Sequence, residues 1–137
     1  MIIALDSNVF ISALSSHEKH SPNAQKVIRD IASGKHRAIA SSIVYGEVYS
    51  VSIAKQSVDL EDFFSHIDNL ETVPATDDIC SRAGKLRLEY GPKLKLPDAL
   101  HLATALNCKA NLFLTNDEGL AKIAKRLITS KLLSESS

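Results

Sequence analysis

Residues 2–6 read Ile2-Ile3-Ala4-Leu5-Asp6, a short unbroken apolar run that ends abruptly at an acid. Such a run predicts a strand that is buried on both faces, as in a parallel sheet. A second run, Leu112-Phe113-Leu114-Thr115, leads through Asn116 into Asp117. Ligand sites in open parallel sheets form at the carboxyl ends of the strands. If both strands run in the same direction, Asp6 and Asp117 lie at one edge of the sheet.

Helical patterns alternate with further strand patterns along the chain. Strands are also predicted at Arg37 to Ala40, Glu71 to Pro74 and Leu127 to Thr129. Helices are predicted over Asn8 to Leu14, Ser21 (as N-cap) to Ser33, Ile43 to Val51 (capped by Ser41 or Ser42), Leu60 to Leu70, Thr76 to Tyr90, Leu96 to Leu106 and Glu118 to Lys125. This alternation predicts an α/β fold in which helices flank both faces of a mostly parallel central sheet. We expect one domain over residues 1–133 and a frayed tail over residues 134–137.

Composition excludes several classes of protein. The 137 residues include 16 Lys+Arg and 16 Asp+Glu, so the formal net charge is zero. A neutral chain does not coat nucleic acid through bulk charge, although a local basic patch is still compatible with this balance. No apolar run reaches the ~18–20 residues of a membrane span, so we expect no membrane association. The first six residues lack the basic start of a signal peptide.

The two cysteines, Cys80 and Cys108, are too few for a disulfide framework and lack the spacing of zinc ligands. We interpret them as core thiols of a protein in the reducing cytoplasm.

Two more acids, Glu47 and Asp98, stand among apolar neighbours. Taken singly, each of the four acids has an ordinary role as a cap, a first-turn acid or a solvated side chain. Taken together, they predict a cluster of carboxylates whose ionisation needs a compensating cation. Oxygen ligands without a Cys/His set indicate Mg²⁺ or Mn²⁺ rather than zinc, and such ions support displacement at phosphorus.

The same residues carry a resemblance to a known family. The stretch Leu5-Asp6-Ser7-Asn8-Val9-Phe10-Ile11 resembles the opening motif of PIN domains. The run from Asp98 to Leu106 is similar to their D-A-x-x-A-x-A motif, and Thr115-Asn116-Asp117 resembles the T-N-D that closes their site. Glu47 matches the acid on their third helix. The resemblance covers nearly the whole chain, which has the length of the VapC-like toxin ribonucleases.

The resemblance implies a metal-dependent endoribonuclease. By this analogy Asp6, Glu47, Asp98 and Asp117 are the catalytic residues and hold Mg²⁺ or Mn²⁺, which activates the attacking water. Asp6 and Asp98 are expected to bind the ion directly. Asp117 binds it directly or through water, and Glu47 binds a second ion or orients the water. Ser7 and Asn116 are expected to support the pocket through hydrogen bonds.

The resemblance also implies partners, namely an RNA substrate, an antitoxin protein that blocks the acidic pocket, and a second copy of the chain in a homodimer. Two alternatives stay open: a non-toxin PIN nuclease of RNA processing, and a PIN-fold binding module that does not cleave. A dehalogenase-type phosphatase is disfavoured because it needs an acid where the chain has Asn8. A phospho-receiver domain is disfavoured because it needs an acceptor Asp at the end of a central strand and a following Lys, an arrangement that the sequence lacks.

A basic stretch and a histidine lie near Asp98 in the sequence. Lys85, Arg87, Lys93 and Lys95 lead towards Asp98, and one hypothesis is that this stretch, with Lys93 and Lys95, forms a wall of an RNA groove, since RNA phosphates need cations beside them. The alternative is that the stretch is a solvated helix end and loop. His101 follows Asp98 by three residues on the same helical face. We interpret His101 as a packing or surface residue rather than as part of the pocket.

Overall fold

Five parallel strands form the central sheet of the structure, a computed structural model that describes residues 1–51 and 59–135. The strands β1 to β5 cover Ile2–Leu5, Arg37–Ser41, Leu70–Val73, Leu112–Thr115 and Ser130–Leu132. Their order across the sheet is β3-β2-β1-β4-β5, and every pair is parallel. The predicted α/β class and parallel sheet are therefore confirmed.

Strand β1 lies at the centre of the sheet, between β2 and β4. Its register pairs Leu5 with Leu114, so Asp6 comes beside the end of β4. The strand order changes direction between β1 and β4, because the chain builds outward through β2 and β3 and later returns to the other side of β1. Crevices at such a switch point are where open α/β sheets bind ligands.

Seven α-helices connect and cover the strands in the described ranges. Helices α1 to α7 cover Ser7–Leu14, Ser21–Ala32, Val44–Tyr49, Leu60–Ser65, Asp77–Tyr90, Leu96–Asn107 and Glu118–Ala124. Several begin at a residue whose carboxylate or hydroxyl accepts a backbone N–H: Asp6 for α1, Thr76 for α5 and Asp117 for α7. None of the described helices is long and apolar enough to cross a membrane.

Two hydrophobic clusters fill the two sides of the sheet. Side chains alternate along each strand, so Leu5 and Leu114 enter the cluster beneath α1 to α4. Ala4 and Phe113 enter the other cluster with α5, α6 and α7. Burial on both sides explains why the central strands are continuous apolar runs.

Some predicted boundaries were wrong. The helix predicted over Leu60 to Leu70 ends at Ser65 with His66 as its C-cap, and in the turn that follows Asn69 adopts a left-handed conformation (φ 68°) just before β3. The apolar spacing continued past the helix end because Ile67 still packs into the core. The last strand begins at Ser130 rather than at Leu127, since residues 125–128 continue the helical turn after α7.

Two predicted caps also differ. Ser21 is the first residue of α2, and His20 precedes it without a side-chain cap. Ser41 accepts the N–H of Ile43, just ahead of α3, and not one from inside the helix.

The prediction of two core thiols was wrong. Cys80 is exposed, since it lies on the outward side of α5, and Cys108 is only partly buried at the end of α6. Both are free thiols. At the C-terminus, Leu133–Glu135 form one 3₁₀ turn with Leu133 buried. Residues 136 and 137 lie outside the described residues, so the frayed tail stays a prediction.

Candidate active site at the carboxyl edge of the sheet

Asp6 is the most tightly held of the four acids. It is 1% exposed and lies at the carboxyl end of β1, where it also begins α1. One carboxylate oxygen, Oδ1, accepts the N–H of Ser7 at 2.8 Å. The other, Oδ2, accepts the hydroxyl of Thr115 at 2.8 Å and the amide of Asn8 at 3.3 Å. These donors fix the carboxylate in one orientation.

The electrostatics of Asp6 are dominated by its burial. Burial raises the pKa of its carboxyl above the ordinary 3.8, although the nearby His101 and the Thr115 hydrogen bond favour the charged form. The Glu47 carboxylate adds to the rise. A buried carboxylate that its neighbours do not fully compensate favours the approach of a further positive charge.

Asp98 lies in the first turn of α6, half-buried beside the other acids. Its pKa is raised from 3.8 to about 6, first by desolvation and then by the charges of Asp6 and Asp117. The Glu47 charge adds to the rise, so the pKa of Asp98 responds to three carboxylates from other parts of the sequence. Perturbed groups of this kind concentrate at functional sites.

Asp117 is exposed at the end of β4. Its Oδ1 accepts the N–H of Leu120 at 3.0 Å and so caps α7, whereas its Oδ2 accepts no hydrogen bond from the described residues. The Thr115 hydroxyl, which donates to Asp6, also accepts the N–H of Asp117 at 3.1 Å. Thr115 thus couples the two acids, and its 0% exposure keeps that link away from water.

Glu47 reaches the site from α3 through His101. The imidazole Nε2 donates to Glu47 Oε1 at 2.5 Å and lies 3.7 Å from Asp6 Oδ1. Burial lowers the pKa of His101, but the Glu47 hydrogen bond and the Asp6 charge outweigh burial, so the net pKa is raised. The other ring nitrogen, Nδ1, has no hydrogen-bond partner among the described residues.

His101 is the residue that sequence reasoning missed. We interpreted it as a packing or surface side chain, but it is 2% exposed and bridges two of the candidate acids. A histidine on an otherwise apolar helical face, three residues after an acid, was the available signal. Thr115 was missed as well, since it looked like the last residue of a strand.

The predicted supporting residues behave differently from one another. Ser7 supports Asp6 through its backbone N–H. The Asn116 side chain donates to the Ser12 hydroxyl of α1, with 3.5 Å between Nδ2 and Oγ, and not to one of the four acids. Lys93 lines a cavity together with Asp98 and Asp117, whereas Lys95 is exposed outside that cavity at the start of α6.

The donor set fits a hard divalent cation. Within residues 1–51 and 59–135, the ion pairs of the four acids involve His101 alone, and no Lys or Arg neutralises them. No group of three or more acidic, histidine or cysteine side chains in these ranges is placed to enclose an ion. Mg²⁺ does not require such a cage, because it commonly uses one or two carboxylates and keeps several waters. Asp6 and Asp98, whose charges act on each other, are carboxylates of the kind that such a water-rich site uses.

A family comparison agrees with this geometry. The PIN domain model matches residues 3–126, which contain all four acids. The chain belongs to the PIN domain family. Comparison with curated protein sequences gave no match.

Solved structures resemble this PIN domain over most of its length. A toxin-antitoxin complex from Klebsiella pneumoniae is 26% identical, with a TM-score of 0.63 and coverage of 85% of this chain and 87% of that one. VapBC2 from Rickettsia felis, bound to a DNA fragment from its promoter, is 21% identical with a TM-score of 0.68, covering 96% and 98%. VapC20 from Mycobacterium tuberculosis, described as a Sarcin-Ricin loop cleaving toxin, is 14% identical with a TM-score of 0.65, covering 82% and 87%. At such identities the last two establish likeness of fold.

Proposed function

We propose that this PIN domain is a Mg²⁺- or Mn²⁺-dependent endoribonuclease and the toxin of a toxin–antitoxin pair. One observation carries the proposal. Asp6, Asp98 and Asp117 stand at the starts of three different helices, close enough that the charges of Asp6 and Asp117 raise the pKa of Asp98, and no lysine or arginine of the described residues pairs with these acids. Such a cluster is costly in a folded protein unless a cation joins it.

The chain's own residues divide the work of the proposed reaction. Asp6, held by three donors, provides a fixed carboxylate at the floor of the site. Asp98 and Asp117 stand at the mouth of the site, where the cavity beside them opens. Glu47 is held by His101 at the opposite side. When bound, the divalent ion supplies a Lewis acid beside the scissile phosphate.

The proposed partners and compartment rest on the similar solved structures and on the two cysteines. Two of the similar structures are toxin–antitoxin complexes, which supports a protein antitoxin as a partner of this chain. We further propose that the antitoxin covers the acidic pocket, that the toxin is a homodimer, and that it acts in the cytoplasm, where Cys80 and Cys108 stay reduced.

Cleavage of a pool of structured and single-stranded RNA tests the enzymatic proposal. Purified protein is incubated with Mg²⁺ or Mn²⁺, and parallel reactions contain EDTA. The Asp6→Asn variant removes the fixed charge, and Asp78→Asn serves as a matched control because Asp78 is an exposed acid in the first turn of α5. We expect cleavage by the wild type and by Asp78→Asn, and none by Asp6→Asn or in EDTA.

Other results would redirect the proposal. Cleavage that persists in EDTA or in Asp6→Asn would contradict a metal–carboxylate site. Folded protein that binds RNA but neither cleaves it nor binds Mn²⁺ would favour the binding-module alternative. Metal-dependent cleavage with no effect on cell growth, when the protein is expressed without other partners, would favour a nuclease of RNA processing.

A further inference from the structure

A cleft of about 500 Å³ extends from the candidate acids along the outer side of α7. Asp98 and Asp117 are part of its lining. The walls carry three cations, Lys93, Lys122 and Arg126. Its size lies in the range of about 300–1,000 Å³ that is typical of small-ligand sites. The cleft therefore brings two of the candidate acids and three cations into one lining.

Helix α7 and the turn after it form the first wall. Gly119, Lys122, Ile123 and Arg126 follow the three- and four-residue spacing of one helical face. Gly119 leaves room beside Asp117, since a Cβ at this position would lie 3.3 Å from Asp117 Oδ1. The face is therefore open next to the acid and basic further away.

The loop between α5 and α6 forms the opposite wall. Helix α5 ends at Tyr90, because Gly91 adopts a positive φ of 77° that reverses the chain. Arg87 donates to the carbonyl of Leu94 at 3.1 Å, and Leu94 is 1% exposed. These contacts fix the short 3₁₀ turn that carries Lys93, so Lys93 and Tyr90 both line the cleft.

The cations of the cleft are not neutralised by the protein. Among the described residues, none of Lys93, Lys122 and Arg126 forms an ion pair, although the chain has equal numbers of acids and bases. Unpaired cations next to a carboxylate cluster can form ion pairs with a polyanion whose chain runs past that cluster. Leu120, Ile123 and the Tyr90 ring add apolar surface to the lining of the same cleft.

We propose that this cleft binds the single-stranded RNA segment next to the scissile phosphate. Lys122 and Arg126 contact its phosphates, Lys93 contacts a phosphate from the opposite wall, and a base lies against the Tyr90 ring. Aromatic rings beside basic side chains are a common way to hold single strands without reading their sequence. An acidic peptide would form ion pairs with the cations but has no base to stack on the Tyr90 ring. The inference rests on the proposed function, because it takes RNA as the substrate.

Binding measurements test the cleft separately from catalysis. The affinity of a 12-nucleotide single-stranded RNA is measured by fluorescence anisotropy in EDTA, in the Asp6→Asn background, so that neither cleavage nor an ion is needed. Lys122→Gln is compared with Lys125→Gln, which removes the same charge from an exposed residue outside the cleft. Arg126→Gln is measured alone and combined with Lys122→Gln.

We expect Lys122→Gln to reduce affinity about five-fold at 0.1 M salt and to flatten the slope of log K against log salt by about 0.7, the loss of one contact to a single strand. The double variant should lose about 25-fold and about 1.4 of slope by the same reasoning. Lys125→Gln should change the affinity by no more than two-fold and leave the salt slope as it is in the parent protein. Equal effects of Lys122→Gln and Lys125→Gln would overturn the inference.

A second pair of variants separates RNA from an acidic peptide. Tyr90→Leu should weaken RNA binding by about five-fold or more, the lower end of base–ring stacking, and Tyr90→Phe should restore it. Neither should alter the binding of a decaglutamate peptide. If Tyr90→Leu leaves RNA affinity unchanged, or if decaglutamate binds as tightly as RNA and responds equally to Lys122→Gln, the cleft is not an RNA site. If the wild-type protein does not cleave RNA, the proposed function is contradicted. The binding results then still decide whether the cleft is an RNA site.

Discussion

Replacing Asp98 with Asn should stabilise the protein when no metal ion is present. The Asp98 carboxyl has a pKa raised from 3.8 to about 6, because it is half-buried and faces Asp6 and Asp117. A carboxyl with a folded pKa above its unfolded value binds more protons when folded. Its charge therefore costs stability as pH rises from about 4 to about 6, and the full cost is present above pH 6.

The size of this cost follows from the pKa. A rise from 3.8 to about 6 corresponds to about 3 kcal/mol at one pKa unit per 1.36 kcal/mol. Because the side chain is only half-buried, solvent offsets part of this cost of desolvation and repulsion. The expected loss of folding free energy is therefore about 1–2 kcal/mol. Asn keeps the size and removes the charge. For a domain of this length, we expect the melting temperature of Asp98→Asn to rise by about 3–8 °C at pH 7.5.

Urea unfolding in EDTA from pH 3.5 to pH 8 provides the measurement. The advantage of Asp98→Asn should be present at pH 7.5 and disappear near pH 3.5, where wild-type Asp98 is protonated. Asp78→Asn, at an exposed acid, should show no such pH-dependent gain. Addition of Mn²⁺ should then stabilise the wild type more than Asp98→Asn, since a ligand stabilises the state that binds it. A destabilised Asp98→Asn at pH 7.5 in EDTA, or a gain that persists at pH 3.5, would refute the argument of repelling carboxylates.

Three further substitutions test the supporting structure. Thr115→Val should cost about 1–3 kcal/mol in urea unfolding, because it removes a buried donor from Asp6, and Thr115→Ser should recover most of this. His101→Leu should lower the Mn²⁺ affinity or the cleavage rate about 10–100-fold by releasing Glu47, with partial rescue by His101→Gln; equal loss in both variants would argue for packing alone. Phe113→Ala, at a 0% exposed position of the central sheet, should cost about 3–5 kcal/mol, and Phe113→Leu clearly less.

The sequence predicted the sheet and its chemical edge well, because both depend on local patterns. Unbroken apolar runs identified β1 and β4, and the acid after each run identified the edge at which they meet. The parallel register between Leu5 and Leu114 then brings Asp6 beside Thr115, which only the paired strands could establish. Boundaries failed where a single residue turned the chain, as at Asn69, since periodicity does not report a left-handed residue.

Contacts between distant elements lay beyond the sequence patterns. His101 and Glu47 are 54 residues apart, and each occupied a helix whose pattern indicates a face but not what lies opposite that face. The pairing depends on how α3 and α6 approach the same end of the sheet. The cleft could not be predicted for the same reason. Lys122 and Arg126 line it together with Lys93 only in the folded chain.

The carboxyl edge is where this chain departs from the usual rules of burial. Asp6 is removed from water although burial raises its pKa, and Asp98 is placed near two like charges. Elsewhere the sequence agrees with its fold, with acids at helix starts and apolar residues inside. The clustering of these buried and mutually repelling acids at one edge indicates that they serve function rather than stability. His101 fits that interpretation: it is the one described residue that forms ion pairs with these acids, and those pairs are with Asp6 and Glu47. Among the described residues, Asp98 and Asp117 form no ion pair, and the positive charge of His101 lowers the pKa of Asp98 less than burial and the neighbouring carboxylates raise it. An incoming cation would therefore find the least compensated charge at Asp98 and Asp117.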